Sequence, residues 1–166
     1  CYLYAKDSEQ LFLRPKETYD GALPSGNSVA ALVMRELSFF TGEERWRSAF
    51  QQQADFLMGE AAQYPAGHSF FLWQMTEELA GTRQLICVCS GSSAFDLQDL
   101  WQFDMDILVK TEEDAASIEE AAPFLKNYPI PFSGTDYYLC QVHTCHAPVK
   151  SLEDLKRLMA SLSDDI

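Results

Sequence analysis

The sequence predicts a mixed α/β chain in two parts: a helical part over residues 1–81 and a small α/β subdomain over residues 82–166, built on a three-stranded parallel sheet. Two observations predict this. Up to Leu79, apolar residues recur at three- and four-residue steps, the period of an amphipathic helix. From Gln84 onward, short apolar runs alternate with helical segments, and right-handed crossovers turn that order into a parallel sheet. The chain has 166 residues, 47% hydrophobic and 13% aromatic, which suits a globular fold with a real core rather than disorder.

Residues 1–4 and 11–13 are short apolar stretches around a polar KDSEQ, a pattern for a small hairpin or flap. Residues 29–40 form the first helix, with Val29, Leu32, Val33, Leu37 and Phe40 on its stripe. Asn27 or Ser28 is its expected N-cap, and Gly42 its stop. Thr41 with Glu44 makes a capping-box pattern, so a second helix starts at once and runs to about Tyr64. Trp46, Phe50, Leu57 and Met58 line its face. Two helices joined so closely run antiparallel. A third helix over residues 68–79 carries Phe71, Leu72, Met75 and Leu79, with Phe70 and Trp73 off that stripe. Gly81 ends it.

In the second part, LICVC at residues 85–89 reads as a buried strand. SGSS follows, then a helix carrying Leu97, Leu100 and Trp101. Residues 107–109 form a second strand, residues 115–122 a helix that Pro123 closes, and DYYLC at 136–140 a third strand. NYPIPFSG, residues 127–134, is a loop. Ser151 with Asp154 caps a last helix bearing Leu152, Leu155, Leu158, Met159 and Leu162.

Twelve basic against 25 acidic residues give a net charge of −13, poorly suited to gripping nucleic acid or an anionic membrane. No apolar run approaches the roughly 18 residues that span a bilayer. The chain begins at Cys1 rather than Met, as expected of a piece of a longer protein. Its five cysteines lack a secretory framework, so they are expected to be reduced, in a cytoplasmic compartment.

Chemistry has few places to sit. The stretch YDGALPSGNSVAA, residues 19–31, brings a carboxylate (Asp20), a rigid turn and the start of a helix together. Asp20, Ser25 and Asn27 are the candidate ligand-binding residues, and Asp20 is a candidate catalytic acid. A glycosidase would need a second acid across a sugar, and Asp7, Glu17 and Glu77 are the candidates. SGSS follows a strand but is neither a dinucleotide fingerprint nor a P-loop. Cys140, His143, Cys145 and His146 mix thiols and imidazoles that suit zinc, yet a structural site draws on a second pair that is absent. Cys145 beside His143 or His146 is the candidate reactive thiol. No cofactor is expected.

DGALPSGNSVAA, the upstream LRPKE and the later CQVHTCHAPV together resemble the thioredoxin-domain-containing family that includes spermatogenesis-associated protein 20 and its bacterial relatives. The resemblance is to the C-terminal portion of that family, and the chain holds no Cys-x-x-Cys. It implies that the helical part belongs to an α/α toroid similar to sugar epimerases and six-hairpin glycosidases. It also implies the rest of the parent chain as partner: a thioredoxin-like domain and the remaining toroid. It carries Cys140, Thr144, Cys145 and Pro148 across without a role. Two functions follow. One is a structural or ligand-binding part with no complete active site, taking a small polar ligand and free to pair with a second copy. The other is a carbohydrate-active enzyme portion, or a thiol-redox module using Cys140 and Cys145.

Overall fold

The computed structural model describes residues 2–3, 5, 7, 15–81, 83–91, 99–103, 105–141 and 144–162. The chain divides into two compact units, Cys1–Ala80 and Gly81–Ile166.

The first unit holds α1 (Gly26–Thr41), α2 (Glu44–Gln63) and α3 (Ser69–Ala80), with a 3-10 turn (Pro65–His68) leading into α3. Gly42 takes φ 67°, a left-handed conformation that suits glycine, and its N–H donates to Ser38 O at 3.0 Å to close α1. The expected capping box between Thr41 and Glu44 does not form. Thr41 is still helical, and its hydroxyl donates back to Leu37 O at 2.7 Å, so Glu43 caps α2 without a side-chain bond. The cap of α1 lies earlier than expected as well: it is Ser25, whose Oγ accepts from Ser28 N–H at 3.1 Å.

Phe50, Ala54, Leu57 and Ala61 form the buried face of α2, and they meet Ala31 of α1 and Phe71 of α3. The alanines let the helices approach closely. The stripe read as the core face of α1 is corrected by this arrangement. Val29, Val33 and Phe40 are exposed, whereas Asn27, Ser28 and Ala31 are buried. The polar residues turn inward because their partners lie there: Gln74 Nε2 donates to Ser28 O at 3.1 Å, and Gln53 Nε2 to Asn27 Oδ1 at 3.0 Å. Leu79 is exposed too. The expected N-terminal hairpin falls largely on residues outside those described, although Leu3 N–H donates to Pro15 O at 2.9 Å.

The second unit is a sheet of β1 (Arg83–Cys89), β2 (Asp106–Thr111), β3 (Thr135–Gln141) and β4 (Thr144–Cys145), with α4 (Ala115–Ala121), a 3-10 turn (Pro123–Asn127) and α5 (Leu152–Ser161). Its order is β2-β1-β3-β4. The sheet is mixed, which corrects the expected three parallel strands. β1 pairs with β2 in parallel, but β3 is antiparallel to both β1 and β4. The reason is length. The seven residues of α4 advance only about 10 Å, half the span of a strand. The loop after it then delivers the chain to the C-terminal end of β1, where Thr135 opposes Cys89 and Gly134 O accepts from Ser90 N–H at 3.0 Å.

One face of the sheet packs Leu85, Cys87, Tyr137 and Leu139 against Leu100 and Leu155 of α5. Ser151 caps α5 as expected, accepting from Asp154 N–H at 3.1 Å. After β4 the chain continues beside β3. His146 N–H donates to Leu139 O, and Tyr137 and Val149 exchange both backbone bonds, so Ala147 and Pro148 together face Tyr138. Pro148 has no N–H for the ladder, and a bulge is where a sheet tolerates that. Of the helix expected to carry Leu97, Leu100 and Trp101, only residues 99–103 are described; they form a turn in which Leu100 is buried and Trp101 exposed. Among those described, no helix is long and apolar enough to cross a membrane.

Candidate functional site

Asp20 is 6% exposed and joins two helix beginnings. Its Oδ1 accepts from Ser25 N–H at 2.8 Å, at the cap of α1, and its Oδ2 from Phe71 N–H at 3.1 Å, in the first turn of α3. A carboxylate there satisfies amides that helices leave without partners and meets the positive ends of both dipoles. Burial pushes the Asp20 carboxyl up. The amides of Ser25 and Phe71, with the hydroxyls of Ser28 and Ser25, outweigh it and hold the group below the ordinary 3.8. Ser25 Oγ also donates to Ser28 Oγ at 2.9 Å. Asn27 Nδ2 donates to Glu17 O at 2.6 Å, which ties the incoming chain to α1.

Around this frame lies an open cleft of about 440 Å³, lined by Tyr2, Leu3, Glu17, Tyr19 and residues 23–27. The Tyr19 ring lies parallel to that of Tyr64, with centroids 6.4 Å apart and planes within 8°. Gly67 makes that possible: a Cβ there would sit 2.6 Å from Tyr64 Cδ1 and 2.9 Å from Tyr19 Cδ2. Gly67 O accepts from Asp20 N–H at 2.7 Å, so the same turn sets both ring and carboxylate.

The structure therefore brings Asp20, Ser25 and Asn27 together. They are buried, and their polar groups are taken up by backbone and by the side chains of Ser28 and Gln53. Glu17 is the carboxylate on the cleft wall; Asp7 and Glu77 do not line it. His68 is buried with Nδ1 2.9 Å from Tyr64 O, and its Nε2 has no partner among the described residues.

The cysteine corner lies in the second unit. Cys140 and Cys145 are joined as a disulfide, which corrects the reading of all cysteines as reduced. The register explains it: β3 and β4 place the two directly opposite, with Cα atoms 3.9 Å apart. Bonded sulfurs are not thiolate ligands, His143 lies outside the described residues, and His146 sits beside the pair on β4's continuation. Among the described residues no group of three His, Cys, Asp or Glu side chains could hold a metal. Cys87 and Cys89 are free and buried. Burial, then the neighbouring Cys89, pushes the Cys87 thiol up to about 12, so it is inert near neutral pH.

Lys110, on β2, is 2% exposed. Its ammonium meets Glu119 of α4 at 2.5 Å and donates to Leu125 O at 3.0 Å and Tyr128 O at 2.8 Å. A lysine's three protons are thereby matched. On β3, Asp136 pairs with Lys150 at 2.5 Å.

No protein-family profile matches the chain, and no solved structure matches it. The chain is 26% identical over 157 residues to spermatogenesis-associated protein 20 of Homo sapiens. The aligned part is 89% of this chain and 20% of that protein, so the chain spans about a fifth of its relative's length. The likeness to spermatogenesis-associated protein 20 suggests a relationship and carries no activity with it.

Sequence reasoning missed Tyr19 and Leu23 as cleft wall, Lys110 as a buried cation, and Tyr128 beside the disulfide. Tyr19 opens the YDGALPSGNSVAA stretch, so position marked it. Lys110 ends the apolar run ILVK, and a strand that keeps its lysine inside shows no periodic signal.

Proposed function

We propose that this chain is a non-catalytic portion of a larger thioredoxin-domain-containing protein, and that its first unit offers a small polar ligand the cleft at the start of α1. The observation that carries this reading is how residues 19–27 use their polar groups. Asp20 holds the amides of Ser25 and Phe71, Ser25 the amide and hydroxyl of Ser28, and Asn27 the Glu17 carbonyl and the Gln53 amide, while Glu17, Tyr19 and the 23–27 turn shape an open cleft over them. In this reading the carboxylate builds the wall, and the wall meets the ligand. An enzyme acting on carbohydrate would need an acid facing Asp20, whose two oxygens are already held by the amides of Ser25 and Phe71.

The partner in this reading is the rest of the parent: a thioredoxin-like domain and the remaining hairpins of an α/α toroid. Support comes from the exposed apolar residues Val29, Val33 and Phe40 on α1 and from Trp73 on α3, which is 51% exposed. A second copy of the chain is the competing occupant, and light scattering at rising concentration separates the two. A cytoplasmic compartment completes the reading.

The test is saturation-transfer NMR of the 166-residue protein with a panel of monosaccharides and polyols. Tyr19→Ala and Glu17→Gln, both exposed positions, are expected to weaken binding at least tenfold without changing the circular dichroism. Equal binding by the variants, or none by the parent, rejects the cleft.

A further inference from the structure

The two halves of the Cys140–Cys145 disulfide have unlike surroundings. Cys140 is 4% exposed, and Cys145 is at the surface. They face each other on a rung without backbone hydrogen bonds, since the neighbouring rung carries the bond from His146 N–H to Leu139 O at 2.9 Å. Opening the S–S bond therefore removes no ladder bond. Tyr128 lies with its phenol oxygen 3.2 Å from Cys145 Sγ. A bonded sulfur carries no hydrogen, so the phenol donates. Burial pushes the Tyr128 phenol up, which keeps that proton in place. Lys110 anchors the Tyr128 carbonyl, and the Tyr128 ring meets Tyr138 edge-on at 4.9 Å. On the other side, Tyr138 O lies 3.9 Å from Cys140 Sγ, placed to accept from a thiol. Each sulfur already has a neighbour suited to its reduced form.

We infer that Cys140–Cys145 is a thiol–disulfide exchange site that takes an external dithiol. A thiolate of the dithiol attacks the exposed Cys145 Sγ. A new S–S bond forms, the Cys140–Cys145 bond breaks, and the electron pair leaves on Cys140 Sγ, which takes a proton from water and donates to Tyr138 O. The second thiolate of the dithiol then attacks its own partner sulfur. The bond to Cys145 breaks, and its electron pair stays on Cys145 Sγ, where the Tyr128 O–H meets the charge before a proton arrives. The dithiol leaves as its disulfide, two electrons and two protons poorer, and the hairpin holds both. This inference is independent of the cleft, which belongs to the first unit.

The experiment treats the 166-residue protein with dithiothreitol and reads each cysteine by alkylation and mass spectrometry, with circular dichroism in parallel. Cys145 is expected to become alkylatable without denaturant and the buried Cys140 far more slowly, with the spectrum unchanged and Cys87 and Cys89 silent. With glutathione disulfide, Cys140→Ser is expected to form a mixed disulfide on Cys145 at least tenfold faster than Cys145→Ser does on Cys140. Tyr128→Phe is expected to slow alkylation of reduced Cys145 at pH 7 about threefold to tenfold, by loss of one hydrogen bond to the thiolate. Reduction only after unfolding, loss of structure on reduction, equal capture by the two serine variants, or an unchanged rate in Tyr128→Phe overturns the inference.

Discussion

Replacing Asp20 by alanine is expected to cost about 3 kcal/mol of stability, because the buried N–H groups of Ser25 and Phe71 lose their acceptor together. Asp20→Asn keeps one carbonyl oxygen but turns an NH₂ toward a donor, so about 2 kcal/mol is expected. The pH dependence follows from the sign of the shift. The folded carboxyl is held below its ordinary 3.8, so its contribution is complete above that value and is lost as pH falls through the folded value. Chemical denaturation followed at pH 7 and at pH 3 checks both. The wild type should lose more stability on acidification than Asp20→Asn does. Equal losses would mean that Asp20 is not the group being titrated.

Lys110→Ala is expected to cost about 3 kcal/mol in the second unit, since it leaves Glu119 and the carbonyls of Leu125 and Tyr128 without their cation. Lys110→Met fills the same volume and should cost less, because a buried charge is expensive to desolvate and its removal is partly compensated. The two variants are compared by urea unfolding, with the amide NMR signals of β1 and β3 reporting on this unit. A change within 0.5 kcal/mol for alanine would show that water replaces the lysine at no cost. Both variants should also free Tyr128, whose carbonyl Lys110 holds, and so slow the alkylation of reduced Cys145.

The fold was legible in the sequence where local rules act alone. Gly42 and Gly81 stop helices, Ser151 caps one, and the strands at LICVC and DYYLC stand where their apolar runs are. It was not legible where partners are distant. Val29, Val33 and Phe40 have a core stripe's spacing, yet Asn27 and Ser28 turn inward because Glu17 O, Gln53 and Gln74 wait there. No period in one helix reports hydrogen bonds to two others. Strand direction failed for a similar reason: the order of elements suggests crossovers, but α4 is too short to make one.

The candidate site divides the same way. The YDGALPSGNSVAA stretch holds both the cleft and the Asp20 frame. Its chemistry was not readable, because a carboxylate that caps two helices and one that meets a ligand are the same letter. The cysteine pair was misread on compartment, while its six-residue span from Cys140 to Cys145 already matched a tight hairpin whose ends face each other.

The cleft at the start of α1 either takes a polar ligand or does not. The measurement that decides it is an amide chemical-shift map of the ¹⁵N-labelled protein titrated with the tightest-binding monosaccharide or polyol of the panel. Saturable shifts are expected, centred on Glu17, Tyr19, Leu23 and Gly26, and lost in Tyr19→Ala. Shifts centred elsewhere, or a map that Tyr19→Ala leaves intact, would contradict this.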